Sequence, residues 1–307
     1  MSQAVHVIHE NPDWSEPLFR ALEERVIPYA DWFIDDGALD MTRPPPDGIF
    51  YNRMSASSHT RGHRYAPEMT GGLLAWLAAW GRTVVNGPGA IRLELAKTIQ
   101  YAAMRAHGLP FPPTIAAISP DAIVAAWDGL GGGPAVTKHN RAGKGLGVHL
   151  FRSRDDLEAY VRGPAFEPSV DGITLVQRYI EAPEPFIVRI EFIGGEPVYA
   201  VRVDTSEGFE LCPADVCEVP GAAPSRPKFE IIDGFSHPLV PAMRRLLADN
   251  DAQVAAFEFI TDRQGRPWFY DINTNTNYNP DAERRAGVSA MARLADFLGG
   301  LARARAA

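Results

Sequence analysis

The chain has 307 residues, 46% hydrophobic and 22% charged, with a formal net charge of -8. This is a globular composition with length for two or three core-forming units, and its acidic balance excludes a nonspecific nucleic-acid binder, which needs a basic surface. The opening MSQAVHVIHENPDW lacks a signal peptide's basic-then-apolar layout, and LLAWLAAW (73–80) is far short of the roughly 20 residues of a membrane span. Only Cys212 and Cys217 are present, so no disulfide framework is indicated and a reducing cytoplasm is the expected setting.

VHVIH (5–9) predicts a short strand, followed by a helix from near Trp14 to before Pro28. YADWFI (29–34) and GIFYNRM (48–54) predict further strands, then come an apolar helix over 66–80 and the strand TVVN (83–86). Strands alternating with helices predict a small parallel sheet, ending near the turn-forming Asn86-Gly87-Pro88-Gly89. AIRLELAKTIQYAAMRAH (90–107) predicts one helix with Ile91, Leu95, Ile99 and Ala102 as its apolar stripe and Gly108 as its stop. Lys97 lies about 200° from Leu95 on a helical wheel, away from that stripe. Ser119-Pro120 opens a short helix.

From residue 131 the pattern changes. PAVTK (134–138), the loop HNRAGKGLG (139–147) and VHLF (148–151) precede a helix capped by Ser153. ITLVQRYI (173–180) reads as a long strand, and FIVRIEFI (186–193), Gly194-Gly195 and PVYAVRVD (197–204) as a hairpin. A helix over 238–249, the strands AQVAAFEFI (252–260) and PWFYDIN, and a helical end from Asp281 to about Ala304 complete the chain. This half is rich in hairpins and predicts an antiparallel sheet.

RAGKGLGV sets three glycines and a lysine between two strands, and glycine lets backbone N–H groups approach a phosphate closely. It fails the Walker A and dinucleotide patterns, which leaves a phosphate-covering flap or an ordinary hairpin connection. Lys138 ends the preceding strand, placed to reach phosphate oxygens or simply solvated. LVQRYIE (175–181) can offer backbone groups to a purine or serve as an edge strand. Arg189 and Arg202 sit inside apolar strands, where each needs a partner such as Glu191 or a cleft with developing phosphoryl charge. Glu258 is a lone acid in AAFEFI. In DINTNTNYNP (271–280) Asp271, Asn273, Asn275 and Asn277 share one strand face, a turn-rich loop or, with Glu258 across a hairpin, a set of hard donors suited to Mg²⁺.

The order of these features resembles the ATP-grasp superfamily, and within it the RimK-like α-L-glutamate ligases and related carboxylate–amine ligases, over roughly residues 48–304. The resemblance implies an α/β (α+β) fold: an N-terminal parallel α/β domain (1–88), a linking helical segment (89–130), a small subdomain with the glycine-rich flap (131–183) and a large antiparallel subdomain (184–307). It implies Lys97 and Lys138 on the ATP phosphates, Gly143, Lys144, Gly145 and Gly147 in the flap, and Gln177, Arg178, Tyr179 and Ile180 at the adenine. Arg189, with Arg202, would serve catalysis, and Glu258, Asp271 and Asn273 would bind Mg²⁺, with Mn²⁺ an alternative. Arg53, Arg64, Asn277 and Tyr278 would meet substrate. The activity implied is ATP-dependent joining of a carboxylate to an amine through an acyl phosphate. Its partners would be amino acids or short peptides, with a protein tail as another acceptor, no nucleic acid or membrane, and a homo-oligomer as the assembly.

The chain departs from that pattern in places. Ile187 stands where the family has a ribose-binding acid, leaving Glu184 or Glu181 for the role, and EGFELCPADVC (207–217) replaces the usual Arg-x-Asn stretch. A nucleotide-binding regulator without ligase activity, or a kinase acting on a hydroxyl, are the competing readings.

Overall fold

The structure, a computed structural model, describes residues 3–143, 145–206, 208 and 227–306. Lys144, Cys212, Cys217 and most of the 207–217 stretch lie outside the described residues.

The chain opens with β1 (Val5–His9), α1 (Pro12–Glu23), β2 (Tyr29–Phe33), β3 (Ile49–Asn52), α2 (Ala66–Ala79) and β4 (Thr83–Val85). The four strands are parallel in the order β2-β1-β3-β4. β1 and β3 are buried along their whole length, as expected of parallel strands covered on both faces. Asn11 caps α1 by accepting from the Trp14 N–H, with Pro12 pre-set for the first helical position. This fixes Trp14 just beyond the carboxyl end of β1, the edge at which open parallel sheets receive ligands.

The helix expected over 90–107 is in fact two, α3 (Pro88–Leu95) and α4 (Lys97–Ala106). Ala96 between them is extended, and the cap of α4 comes from far along the chain: the Asn140 carbonyl accepts from the Lys97 N–H at 3.1 Å, and Asn140 Oδ1 from the Thr98 N–H at 2.9 Å. The continuous stripe fails with it, since Ala102 is exposed, and the wheel angle between Leu95 and Lys97 has no meaning across the break.

A second sheet holds β5 (Thr114–Ala117), β6 (Ala135–His139), β7 (His149–Phe151) and β8 (Thr174–Arg178), antiparallel in the order β5-β8-β6-β7. The strand expected over 173–180 stops at Arg178, whose N–H bonds Pro113 while that of Tyr179 bonds Pro134. Two helices, α5 (Pro120–Gly129) and α6 (Arg154–Arg162), cover this sheet through Ile123, Trp127, Leu157 and Val161.

The third sheet is antiparallel in the order β11-β10-β9-β12-β13, from β9 (Phe186–Ile193), β10 (Glu196–Asp204), β11 (Phe229–Ile232), β12 (Val254–Thr261) and β13 (Pro267–Asn273). Its apolar face, with Val188, Ile190, Phe192, Phe257 and Phe269, packs on α4 and on α7 (Val240–Asp249) through Tyr101, Met104, Met243 and Leu246. The helical end is also two helices, α8 (Pro280–Ala286) and α9 (Ala290–Ala306), separated at Gly287, whose φ of +68° ends α8 in the left-handed region. No helix among the described residues is long and apolar enough to cross a membrane.

Candidate active site

The second face of the third sheet carries charge. Register places Arg189 of β9 beside Glu258 of β12, and Glu258 beside Asp271 of β13, so three ionisable residues form one transverse row. Two residues along, Glu191, Ala256 and Asn273 form the next row. Side chains at i and i+2 share a face, so x-Arg-x-Glu, Ala-x-Glu and Asp-x-Asn deliver all of these groups to the same side. The small Ala256 leaves room between Glu191 and Asn273.

Because β13 is an edge strand, its outward backbone needs partners. Gln100 of α4 supplies them, donating to the Ile272 carbonyl at 2.8 Å and accepting from its N–H at 3.0 Å, and the Tyr101 hydroxyl donates to the Tyr270 carbonyl. The strand is thereby pinned between the two residues, Asp271 and Asn273, that face the cleft.

Lys97 Nζ donates to Asp271 Oδ1 at 2.7 Å. Arg189 bonds Glu191 Oε1 at 2.6 Å, Glu258 Oε1 at 2.7 Å and Thr276 Oγ1 at 2.5 Å, so the ion pair with Glu191 and a place in the charged row coexist. Burial pushes the Glu258 carboxyl up, Arg189 opposes that, and Asp271 adds to it. Lys138 is 7% exposed, with Nζ 3.5 Å from the Tyr101 hydroxyl and 5.0 Å over the Tyr270 ring. Burial first, and then repulsion from Lys97, push its ammonium down to about 7.

These groups line a cavity of about 490 Å³ that also receives Trp14, Ser55, Ser57 and Glu94. Gly143, Gly145, Leu146 and Val148 form its cover, and Gln177 through Pro185 its far end. Gly147 does not line it: at φ +69° a Cβ there would meet the His139 ring at 2.2 Å, so its glycine is required for packing. Gln177 donates to Tyr101 and Thr114, and the Arg178 guanidinium bonds the Leu130 and Gly132 carbonyls, which directs its charge toward the end of α5. Tyr179, Ile180 and Glu184 line the cavity; Glu184 and Glu181 pair at its rim with Arg202 and Arg263.

Asn273 Nδ2 donates to Glu258 Oε1 at 3.1 Å, which leaves its Oδ1 for the cavity. Two carboxylates and an amide oxygen are hard donors that fit Mg²⁺, a cation that keeps water and takes substrate phosphate for its remaining positions. No group of three His, Cys, Asp or Glu suited to a metal occurs among the described residues, so Glu258, Asp271 and Asn273 would depend on such outside ligands.

Four expected site residues stand apart from this cluster. Arg202 pairs in register with Val188, which turns it to the opposite sheet face from Arg189, over the Phe186 ring. Arg64 pairs with Glu68 and lies over the exposed Tyr65 ring. Tyr278 is buried in the core between the first sheet and α9. Arg53 is 2% exposed and sits behind Asn277, donating to its Oδ1 at 2.9 Å; Asn277 itself lines the cavity.

Glu94, Trp14, Ser55, Ser57 and Thr276 carry no motif that identifies them as site residues, while Asn275, part of the Asp271–Asn277 row, lines the cavity with its neighbours. Glu94 is half-buried in the cavity wall, and its carboxylate accepts from the N–H groups of Ala56, Thr274 and Asn275 and from the Thr274 hydroxyl. It ties the loop after β3 to the loop after β13. Thr274 and Thr276 alternate with the four cavity-facing residues of DINTNTN and anchor the loop from behind, Thr274 to Glu94 and Thr276 to Glu191 and Arg189. The alternation itself was the available signal. Asn86, with φ of +59°, joins the first sheet to the third: its side chain donates to the Val254 and Thr274 carbonyls and accepts from the Gln253 and Val254 N–H groups.

No family model matches the chain. It is 27% identical over 194 residues to a D-alanine–D-alanine ligase of Alkalilimnicola ehrlichii, covering 60% of this chain and 58% of that one, so it spans little more than half of that relative's length. A RimK domain ATP-grasp protein from Sphaerobacter thermophilus superposes with a TM-score of 0.66 at 20% identity, over 96% of this chain and 98% of that one. The ATP-grasp ligase PsnB, solved with its minimal precursor, superposes with a TM-score of 0.67 at 17% identity, over 97% and 99%. The parallel sheet, the small covering sheet and the antiparallel sheet beneath the cavity together make an ATP-grasp fold.

Proposed function

We propose that the protein is an ATP-dependent carboxylate–amine ligase that forms an amide or peptide bond and releases ADP and phosphate. The observation that carries this reading is the convergence of Lys97, Lys138, Arg189, Glu258, Asp271 and Asn273 on one covered cavity.

In this reading Lys97 and Lys138 hold phosphate oxygens as point charges. The desolvated Lys138 gains most from an anion, since a phosphate restores the charge that burial disfavours. Arg189, held by Glu191, Glu258 and Thr276, offsets charge on the phosphoryl group as it passes to the carboxylate. The acyl phosphate is then open to attack by the amine, with phosphate as leaving group. Mg²⁺ bound at Glu258, Asp271 and Asn273 would supply further neutralisation of the polyphosphate. The cover formed by Gly143, Gly145, Leu146 and Val148 keeps water from the activated acid. Gln177 to Ile180 hold the purine, and Glu184 or Glu181 the ribose. The acid and amine are amino acids or short peptides, a protein tail being the larger form of acceptor, and the setting is the cytoplasm.

An ADP-release screen over pairs of acids and amines, with mass detection of the product, tests this. An amide with free phosphate is the expected product. A phosphate ester would assign a kinase instead, and nucleotide binding without ADP release a regulator.

A further inference from the structure

Two arginines stand just outside the cavity at its Trp14 end, and each is bonded to a neutral group that faces in. Arg53 donates through Nη2 to the Trp14 carbonyl at 3.1 Å and to Asn277 Oδ1 at 2.9 Å. Arg61 lies 4.9 Å over the Trp14 ring and donates through Nη1 to Ser57 Oγ at 3.1 Å, while the buried Glu10 holds its other edge at 2.7 and 3.0 Å. Trp14, Ser57 and Asn277 all line the cavity, and neither arginine does.

Guanidinium has donors only, so the amide oxygen of Asn277 must face Arg53 and its Nδ2 is the end left for the cavity. Ser57 Oγ accepts from Arg61 and shares a 2.9 Å bond with Ser55 Oγ. Ser55 Oγ also accepts from the Ser57 N–H, and the two hydroxyls have two protons for one mutual bond, so one proton is available to a ligand. Arg53 is also notable in itself: its Nε and Nη1 are buried without a hydrogen-bond partner, and among the described residues no carboxylate pairs with it. A buried cation of this kind is costly unless an anion is drawn toward it.

We infer that Arg53 and Arg61 are positioning residues for a carboxylate subsite at the Trp14 end, where the substrate's oxygens are read by Asn277 Nδ2 and the Ser55–Ser57 hydroxyl pair. The inference rests on the ligase reading for its place in the reaction, and its chemistry is that of a carboxylate, either of the acid to be activated or of an amino-acid acceptor. Neutral donors meet the oxygens, and the arginine charge reaches them through one intervening group, which hydrogen-bond polarisation strengthens.

The test uses the full chain labelled with ¹⁵N in asparagine side chains, with and without ADP and Mg²⁺. The Asn277 amide pair, assigned by its loss in Asn277→Asp, is expected to shift saturably with sodium acetate and to ignore methylamine. Arg61→Gln is expected to weaken acetate binding about tenfold, the loss of one strengthened hydrogen bond, with ADP affinity unchanged. Arg53→Met is expected to abolish the Asn277 response; should that variant not fold, Asn277→Asp and Arg61→Gln decide. Kinetically, Asn277→Asp raises KM for the carboxylate-bearing substrate at fixed KM for ATP, and whether the acid or the amine partner is affected identifies the source of the carboxylate. An Asn277 pair unmoved by acetate, or Arg61→Gln binding acetate as tightly as wild type, overturns the proposal. Failure of the wild type to bind ADP counts against the ligase reading alone.

Discussion

The two ends of the cavity handle charge in opposite ways. Under the glycine cover, Lys97 pairs directly with Asp271 and Arg189 with Glu258, so ionisable groups themselves form the wall that meets whatever enters. At the Trp14 end the cations Arg53 and Arg61 stand behind Asn277 and Ser57, and neutral donors form the wall. A polyphosphate with several charges needs full charges nearby, whereas a single carboxylate is held and oriented well enough by dipoles fixed from behind. The Asp271–Asn277 row contributes to both surfaces, charged residues at its start and Asn277 at its end, and residues of other elements complete each one.

The contrast makes unequal demands on single substitutions. Lys138→Ala or Asp271→Asn is expected to abolish ADP formation, a loss of about a thousandfold or more, while circular dichroism and the thermal transition remain those of a folded protein. Near-wild-type turnover in either would remove that residue from the phosphate end.

Glu94→Gln acts on the joint between the two ends. Glutamine keeps one acceptor oxygen, so its amide nitrogen must face either the Ala56 N–H or the Thr274 and Asn275 N–H groups and leave that side unsatisfied, at about 1–3 kcal/mol. A fall in Tm of about 5 °C is expected, together with weaker substrate binding and intact ADP affinity. A variant with unchanged Tm would mean that the two loops are held by other contacts.

The smallest effect is a proton. Lys138 has a folded value of about 7, below the ordinary 10.5, because burial and Lys97 disfavour its charge. Unfolded chains therefore bind more protons than the folded protein between those values, and stability from this group rises with pH through that window. A bound phosphate reverses the shift. ADP–Mg²⁺ binding at pH 8 is expected to take up close to one proton and at pH 6 close to none, read by calorimetry in buffers of differing ionisation enthalpy. Equal uptake at both values would place Lys138 away from the phosphates.

The strands were legible because burial imposes period two, and VHVIH, FIVRIEFI and PWFYDIN show it or its fully buried equivalent. The strands Thr114–Ala117 and Phe229–Ile232 were not marked, being four residues each with weak patterning. The break at Ala96 left no trace either, since no Gly or Pro lies between 91 and 107 and the cap is a residue more than forty positions away. Charged site residues stood out where strands made them improbable, as with Arg189 and Glu258. Glu94 did not, because a glutamate in a helix is unremarkable until its neighbours in space are known. Arg53 stands out in the sequence by its charge, but only the fold sets Asn277 between that charge and the cavity.

The cap that Asn140 places on α4 has a kinetic consequence. Asn140 stands at the root of the glycine cover, three residues before Gly143, while Lys97 begins the helix it terminates. Any hinge motion at that root large enough to admit nucleotide pulls on the first turn of α4, so that entry of the ligand and readiness of its lysine are mechanically geared rather than independent events.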